Sequence, residues 1–185
     1  PNDHVNACQS SNDVIPAAVQ LATRQAAGEL EPVLHHLASC LRAKEREFAS
    51  VIKLGRTHLQ DAVPMTLGQE FGAWATQVEK AGRRLKSCYA DLEELPLGGT
   101  AIGTGLNAHP LFGYKAVAAI AEATGIPFQV APDRFEQIAA RDAQVQLMGC
   151  LNTLATILIK IVNDLRLLAS GPRAALGEIN LPSLQ

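Results

Sequence analysis

Three long stretches of the chain repeat apolar residues at alternating steps of three and four, a pattern typical of helices with one buried face. The first is predicted to begin after the cap-like pair Asn12-Asp13 and to end near Leu54, where Gly55 stops it. Pro32 lies inside this helix and is expected to kink it. Its apolar stripe consists of Leu30, Leu34, Leu37, Leu41, Phe48 and Ile52.

The second and third stretches have longer and more regular stripes. The second is predicted to run from Thr66 to about Leu95, with a stripe of Phe71, Trp74, Val78, Ala81, Leu85, Cys88, Leu92 and Leu95. The third is predicted to end near Ala169, with a stripe of Leu147, Leu151, Leu154, Leu158, Ile161, Leu165 and Leu168. Further apolar residues lie off this third stripe, so that helix is expected to be buried on several sides.

Stripes of this period predict near-parallel helices packed side by side. We therefore predict an all-α fold, a long-helix bundle that forms a single domain over residues 1–185 and is truncated at both ends. One chain of this length cannot surround the third helix, so we expect the bundle to continue into other subunits. A short helix is predicted over residues 112–124, and the segments between helices, including 55–65, are predicted to be loops without strands.

Composition removes several classes of function. The net charge is −2, which gives no electrostatic reason to expect binding to nucleic acid or to an anionic membrane. The longest uncharged run, from Ala143 to Ile159, is short and contains polar residues, so it is predicted to be a buried helix and not a membrane span. The four cysteines lack CxxC spacing, which favours reduced thiols in a cytoplasmic protein and no metal site.

The first candidate site is the polar run Gln9-Ser10-Ser11-Asn12-Asp13 at the start of the first helix. Hydroxyl, amide and backbone N–H groups meet the positive end of a helix dipole there, which suits a carboxylate ligand. The same residue types are the usual helix caps, so a purely structural role is the alternative. One residue can serve both roles.

The second candidate site is the polar segment Arg56-Thr57-His58-Leu59-Gln60-Asp61. An unperturbed imidazole titrates near pH 6.5, so His58 could move protons at neutral pH. The alternative is an ordinary histidine in a surface loop.

A glycine-rich loop spans Gly98 to Asn107 and contains the GxG run Gly103-Thr104-Gly105. It lacks both GxGxxG and GxxxxGK[ST], and no strand is predicted before it, so nucleotide binding is not expected. We predict instead that the backbone there packs tightly against a neighbour or a ligand.

Four segments together resemble the fumarase/aspartase lyase family: PNDHVNACQSSND, GRTHLQDAVPMTLGQEF, LGGTAIGTGLNAHP and KIVNDLRLLASGPRAALGEINLP. The resemblance covers nearly the whole chain, in order and with similar spacing. It implies a homotetramer with a central helical core, active sites built from three subunits, no metal and no organic cofactor. It also implies elimination of water or ammonia from a four-carbon dicarboxylate.

The resemblance assigns roles by position. Ser10, Ser11 and Asn12 correspond to binders of the substrate carboxylate, and Asn2 and Asp3 to a second, peripheral dicarboxylate site. Thr57 and His58 correspond to the pair that contacts substrate and activates or orients water. Gly103, Thr104 and Asn107 belong to the glycine-rich signature, for which we expect a mainly structural role.

The family's catalytic serine loop, GSSxMPGKxNP, does not occur in the chain, so the fragment itself is expected to be inactive or nearly so. For the full-length parent, Ser11 and His58 favour reversible hydration of fumarate to malate, as in the tricarboxylic acid cycle. The alternatives are an aspartate ammonia-lyase, towards which AVPMTLGQEF and GEINLPSLQ lean, and a helical assembly module without catalysis.

Overall fold

A computed structural model of the chain describes residues 3–183. Six helices and four short strands follow one another along it, and the helices contain most of the described residues, which confirms the all-α fold class. The elements are α1 (Ser11–Glu47), β1 (Ile52–Thr57), β2 (Gln60–Thr66), α2 (Leu67–Ser87), α3 (Tyr89–Leu92), β3 (Glu94–Leu95), α4 (Phe112–Thr124), β4 (Gln129–Val130), α5 (Arg134–Ala139) and α6 (Asp142–Leu168).

The predicted stripes match the buried faces closely in α2 and less well in α1. Every member of the second stripe is buried, although the helix breaks at Cys88 and resumes as α3. In α1, Leu34 and Leu41 are buried as predicted, but the helix ends at Glu47, so Ile52 belongs to a strand and is exposed. The short helix predicted over residues 112–124 is confirmed as α4.

The prediction of a strandless loop over residues 55–65 is wrong, because this segment forms most of an antiparallel hairpin. β1 pairs with β2 from Ile52↔Thr66 to Thr57↔Gln60, with a bulge between Leu54 and Arg56. Gly55 lies opposite the bulge, where a Cβ atom on it would lie 2.8 Å from the carbonyl oxygen of Val63. Many of the hairpin's side chains are exposed, so the hydrophobic periodicity that marks helices gave no signal for it.

Backbone contacts divide the chain into two compact units, and the prediction of a single domain over residues 1–185 stays a prediction. The first unit contains residues 3–32 and Arg84–Gly149. Its core joins the start of α1, α4 and the two-stranded parallel pair β3-β4. The buried members of this core are Ala17, Leu95, Leu97, Val117 and Phe128.

The second unit contains Val33–Arg83 and residues 150–183. Phe71 stacks edge-on against Trp74 with ring centroids 4.8 Å apart, and the Trp74 indole donates a hydrogen bond to Asp164 in α6. Arg42 in α1 donates to Glu79 and Thr76 in α2. These contacts hold α1, α2 and α6 together beside the hairpin.

Within this chain, helix α6 is buried along one stripe, and the predicted burial on its other sides, which involves further subunits, stays a prediction. The buried residues Leu147, Leu154, Ile161 and Leu168 recur every seven positions. Met148, Ile159 and Val162 are more than half exposed, because this chain supplies neighbours to one side of the helix. By length and composition alone, α6 is also long and apolar enough to cross a membrane, with a mean hydropathy of 1.7 in its most apolar stretch.

Candidate active site

The N-terminus of α1 is closed by a capping box. The Ser10 hydroxyl accepts a hydrogen bond from the backbone N–H of Asn12 at 3.2 Å, and the Asp13 carboxylate accepts one from the N–H of Ser10 at 3.0 Å. Ser10 is therefore the cap, and the pair Asn12-Asp13, which was expected to precede the helix, lies inside its first turn. Ser11 and Asn12 occupy the first turn with exposed side chains, where the helix dipole favours a negative charge.

Asp13 also ties this turn to the glycine-rich loop. Its side chain is fully buried, and Oδ2 accepts hydrogen bonds from the N–H groups of Gly98 and Thr100 at 3.1 and 3.0 Å. The Asn12 amide donates to the carbonyl oxygen of Ala101 at 2.7 Å. Two segments more than 80 residues apart in the chain thus form one corner of the first unit.

A cavity of about 570 Å³ opens at this corner. It brings Ser10 together with Thr104 and Asn107, and its lining contains no ionised side chain. Hydroxyl and amide groups beside a helix N-terminus can bind an anionic oxygen without a fixed counter-charge. The lining residues are Asn6, Ala7, Cys8, Gln9, Ser10, Thr100, Ala101, Ile102, Thr104, Leu106 and Asn107.

The glycine-rich loop is shaped by close backbone contacts, which confirms the predicted tight approach. Gly98 has a φ of 87°, and a Cβ atom on it would lie 2.9 Å from the Cα of Gly113. Gly103 has a φ of 111° and would meet the Phe135 ring at 2.8 Å. Side chains larger than hydrogen would push the loop away from Asp13.

His58 lies at the tip of the hairpin in the second unit. Thr57 pairs with Gln60, so His58 and Leu59 form a two-residue turn, and both have positive φ values, 54° and 60°. Such turns normally contain glycine or asparagine, because other residues pay a steric cost in this conformation. The His58 and Thr57 side chains are exposed, so both can reach a ligand outside the hairpin.

Charged residues surround the base of this hairpin. Lys53, Arg56, Glu70, Lys160 and Asp164 line, together with His58, a cavity of about 320 Å³. Burial of the Glu178 carboxyl raises its pKa, whereas its hydrogen bonds to Arg56 and Lys53 and the positive charges of those residues lower it. The lowering is larger in sum, so the pKa of Glu178 lies below its ordinary value. The pKa of Arg56 is raised by its hydrogen bond to Glu178.

The structure thus collects the predicted site residues into two groups. Ser10, Thr104 and Asn107 share one cavity, with Ser11 and Asn12 adjacent in the chain, while Thr57 and His58 belong to the hairpin. Asp3 lies in an exposed turn and Asn2 lies outside the described residues. Among residues 3–183, no cluster of three or more histidine, cysteine or acidic side chains could hold a metal ion.

Sequence reasoning missed the role of Asp13, which was interpreted as part of a cap and not as the anchor of the glycine-rich loop. No local pattern in the sequence points to this role, because the N–H groups of the loop find their acceptor 85 residues earlier in the chain. Gly113 was also missed: a Cβ atom there would lie 2.4 Å from the carbonyl oxygen of Leu97.

Comparison with known proteins identifies the family to which this arrangement belongs. The model of the lyase family matches residues 1–185. The class II fumarate hydratase of Xylella fastidiosa is 53% identical over 186 aligned positions, which cover 100% of this chain and 39% of the relative. The mitochondrial fumarate hydratase of Homo sapiens is 52% identical and is matched by 98% of this chain over 36% of its own length.

Solved structures agree with the sequence matches. A class II fumarase from Schistosoma mansoni superimposes with a TM-score of 0.97 at 40% identity, over 100% of this chain and 42% of that one. A fumarate lyase:delta crystallin from Brucella melitensis, solved with cobalt bound, gives a TM-score of 0.96 at 47% identity, over 100% and 40%. The chain spans about two fifths of the length of these relatives, and over its whole length it belongs to the lyase family.

Proposed function

We propose that the protein containing this chain is a lyase that hydrates fumarate reversibly to malate. The observation that carries the proposal is the cavity at the N-terminus of α1, which has no acidic or basic residue in its lining and where the hydroxyl and amide groups of Ser10, Thr104 and Asn107 meet. The match of nearly the whole chain to a part of class II fumarate hydratases supports the same activity. The proposed substrate is a four-carbon dicarboxylate, and the proposed cofactor requirement is none.

In this proposal, Ser10, Ser11 and Asn12 hold one substrate carboxylate. Their hydroxyl and amide groups, together with the helix dipole, stabilise the negative charge that this carboxylate gains when a proton leaves the neighbouring carbon. Asn12 has one amide hydrogen engaged with Ala101 and keeps its second hydrogen and its oxygen for a ligand. The peripheral role of Asn2 and Asp3 stays a prediction.

Thr57 and His58 are proposed to contact substrate and to activate or orient the water. The imidazole is exposed at the tip of a two-residue turn, so it can exchange protons with a ligand without losing a protein partner. Gly103, Thr104 and Asn107 are proposed to shape the carboxylate cavity. The proton-abstracting serine loop of the family does not occur among these residues.

The test is a substrate comparison on the full-length protein. Fumarate formation, followed by ultraviolet absorbance, should be fast with malate and negligible with aspartate. Fast turnover of aspartate with slow turnover of malate would identify an ammonia-lyase instead. Absence of both activities in a folded full-length protein would support the non-catalytic assembly module. The isolated chain should be inactive with either substrate.

We propose further that the chain self-associates through the uncovered face of α6, as a homotetramer in the full-length protein. Met148, Ile159 and Val162 give this helix an apolar surface that is exposed to water in the single chain. Light scattering should therefore detect an oligomer, and Ile159→Lys should shift it towards smaller species. The proposed location is the cytoplasm, which fractionation of the source cells would test.

A further inference from the structure

The base of the hairpin in the second unit is held by a cluster of four charged side chains. Lys53 forms ion pairs with Glu70 in α2 and with Glu178 in the segment after α6, and Arg56 forms a second ion pair with Glu178. The Lys53 Nζ lies 2.8 Å from Glu178 Oε2. We call these residues (Lys53, Arg56, Glu70 and Glu178) the hairpin clamp.

The hairpin clamp is shielded from solvent, unlike most ion pairs of the described chain. The side chains of Lys53 and Glu178 are only 8% and 18% exposed, whereas those of Lys44 and Glu47 in α1 are 49% and 54% exposed. Exposed pairs contribute little to stability. Removing one partner of a shielded pair leaves an uncompensated charge, so the clamp's geometry is strongly enforced.

Lys53 and Arg56 lie on β1 on either side of Gly55, which faces the two β2 residues Ala62 and Val63 at the bulge. In a regular strand, residues three apart point to opposite faces. A bulge increases the local twist of the paired strands. Despite their odd spacing, Lys53 and Arg56 reach the same carboxylate, that of Glu178.

Glu178 is itself fixed to the end of α6. Its backbone N–H donates to the carbonyl oxygen of Leu168 at 2.9 Å, and the N–H of Gly177 donates to that of Ser170 at 2.8 Å. The segment therefore folds back onto the helix terminus and satisfies carbonyl groups that the helix leaves open. The Glu178 carboxylate is therefore held beside the end of α6, and its ion pairs attach the hairpin to that end.

The backbone of the turn needs support from its surroundings. His58 and Leu59 both have positive φ values without being glycine or asparagine, and residues held in this way persist only where the surroundings enforce them. Arg56 lies on β1, two residues before His58 in the turn. A shift of Arg56 is therefore transmitted to the imidazole over a very short length of backbone.

We propose that Glu178 is a positioning residue for His58: through Arg56 and Lys53 it fixes the turn that presents the imidazole. The expected effect on kcat rests on the proposed function, whereas the expected effect on the structure of the turn does not. The other charged groups at this cavity are Asp164 and Lys160 on α6, with Asp61 on β2 close to Arg56. None of them bridges the hairpin to the end of α6.

The experiment compares three variants of the full-length protein. Glu178→Gln keeps the shape but removes the charge, Glu178→Asp keeps the charge, and Glu79→Gln is the matched control. Glu79 also accepts from an arginine in the same unit, Arg42, with Oε2 2.7 Å from Nη2, but it does not touch the hairpin. Light scattering checks that all three keep the assembly state of the wild type.

The first readout is hydrogen exchange at the amides of residues 57–60. Glu178→Gln should exchange about tenfold faster there or more, because the turn loses the contacts that enforce it, while Glu79→Gln should match the wild type. The second readout is kinetic. Glu178→Gln should lower kcat by about tenfold to a hundredfold with little change in KM, and Glu178→Asp should recover most of the loss.

Unchanged exchange at residues 57–60 in Glu178→Gln would overturn the proposal, as would an equal increase in Glu79→Gln. If the wild-type protein converts neither malate nor aspartate, the proposed function fails and the exchange data alone decide the positioning role. If Glu178→Gln does not fold, Arg56→Lys takes its place. It keeps the charge but loses the guanidinium geometry, and it should speed exchange at the same amides.

Discussion

The N-terminus of α1 and the hairpin that carries His58 are held in place by different interactions. At α1, the buried carboxylate of Asp13 accepts three backbone N–H groups. At the hairpin, shielded ion pairs join Lys53 and Arg56 to Glu178. The first arrangement consists of backbone hydrogen bonds to one buried carboxylate. The second connects the hairpin, whose turn is exposed and strained, to the segment that follows α6.

This difference suits the roles proposed for the two regions. A carboxylate-binding corner must keep its donors fixed in direction, which a network of backbone hydrogen bonds achieves. A residue that exchanges protons must reach outward from its support, and the hairpin places His58 at an exposed tip. Its position then depends on what holds the base of the hairpin.

Replacing Asp13 should give the largest loss of stability. In Asp13→Ala, three N–H groups lose their acceptor in a buried site, so we expect a loss of about 3–6 kcal/mol in the free energy of unfolding. Asp133 is the matched control, because its exposed carboxylate also accepts two backbone N–H groups, those of Phe135 and Glu136. Asp133→Ala should cost about 1 kcal/mol. Equal losses in urea denaturation would contradict the special role of Asp13.

His58→Asn should separate activity from stability at the hairpin. Asparagine tolerates a positive φ, so the turn should keep or gain stability, whereas turnover of malate by the full-length protein should fall at least about 100-fold with the loss of the imidazole. Steady-state kinetics and thermal unfolding of the same preparation test both parts. A variant that keeps full turnover would contradict the proposed role of His58 in the reaction.

The two units should respond to acid in opposite directions. In the first, burial together with the charges of Asp91 and Glu136 raises the pKa of Glu94, so its unfavourable contribution is present at neutral pH and disappears as pH falls through that raised value. In the second, the pKa of Glu178 is lowered, so its favourable contribution is present above about pH 4.5 and is lost as pH falls further.

Stability measured against pH in Glu94→Gln and Glu178→Gln tests this contrast. Relative to wild type, Glu94→Gln should be more stable at neutral pH and lose that advantage in mild acid. Glu178→Gln should be less stable at neutral pH and approach the wild type below about pH 4. Parallel pH curves for the two variants would show that the charges act alike in both units.

The smallest expected effect concerns backbone conformation. Leu59 has a φ of 60° in the hairpin turn, so Leu59→Gly should stabilise the protein by about 1 kcal/mol. Gly125 ends α4 with a φ of 68° and has open space where a Cβ atom would go, so Gly125→Ala should destabilise it by about 1 kcal/mol through φ alone. Thermal unfolding measures both, and changes of the same sign would contradict the assignment of strain to the turn.

The helices were the most predictable part of the fold because their signal is local. The stripe through α2 and α3 was recognised in full, since each of its residues repeats a three- or four-residue step along the chain. The buried stripe of α6 was recognised in the same way, whereas the burial predicted for its other faces involves further subunits and stays a prediction.

The candidate site was predictable in residue types and less so in arrangement. Ser10, Ser11, Asn12 and His58 could be selected from the sequence, because cap chemistry and a histidine among polar residues are visible in a few adjacent letters. The hairpin could not be predicted from the sequence. A turn with two positive φ values is normally recognised by glycine or asparagine, and here it contains histidine and leucine.

The approximate course of the long helices and the short segments with polar chemistry could be read from the amino-acid sequence, because both depend on neighbours within a few residues. The contacts that hold those segments became visible only in the folded chain. Asp13 accepts from Gly98, 85 residues away, and Arg56 pairs with Glu178, 122 residues away. Such partners meet only when the chain has closed around a core, so no local pattern can report them.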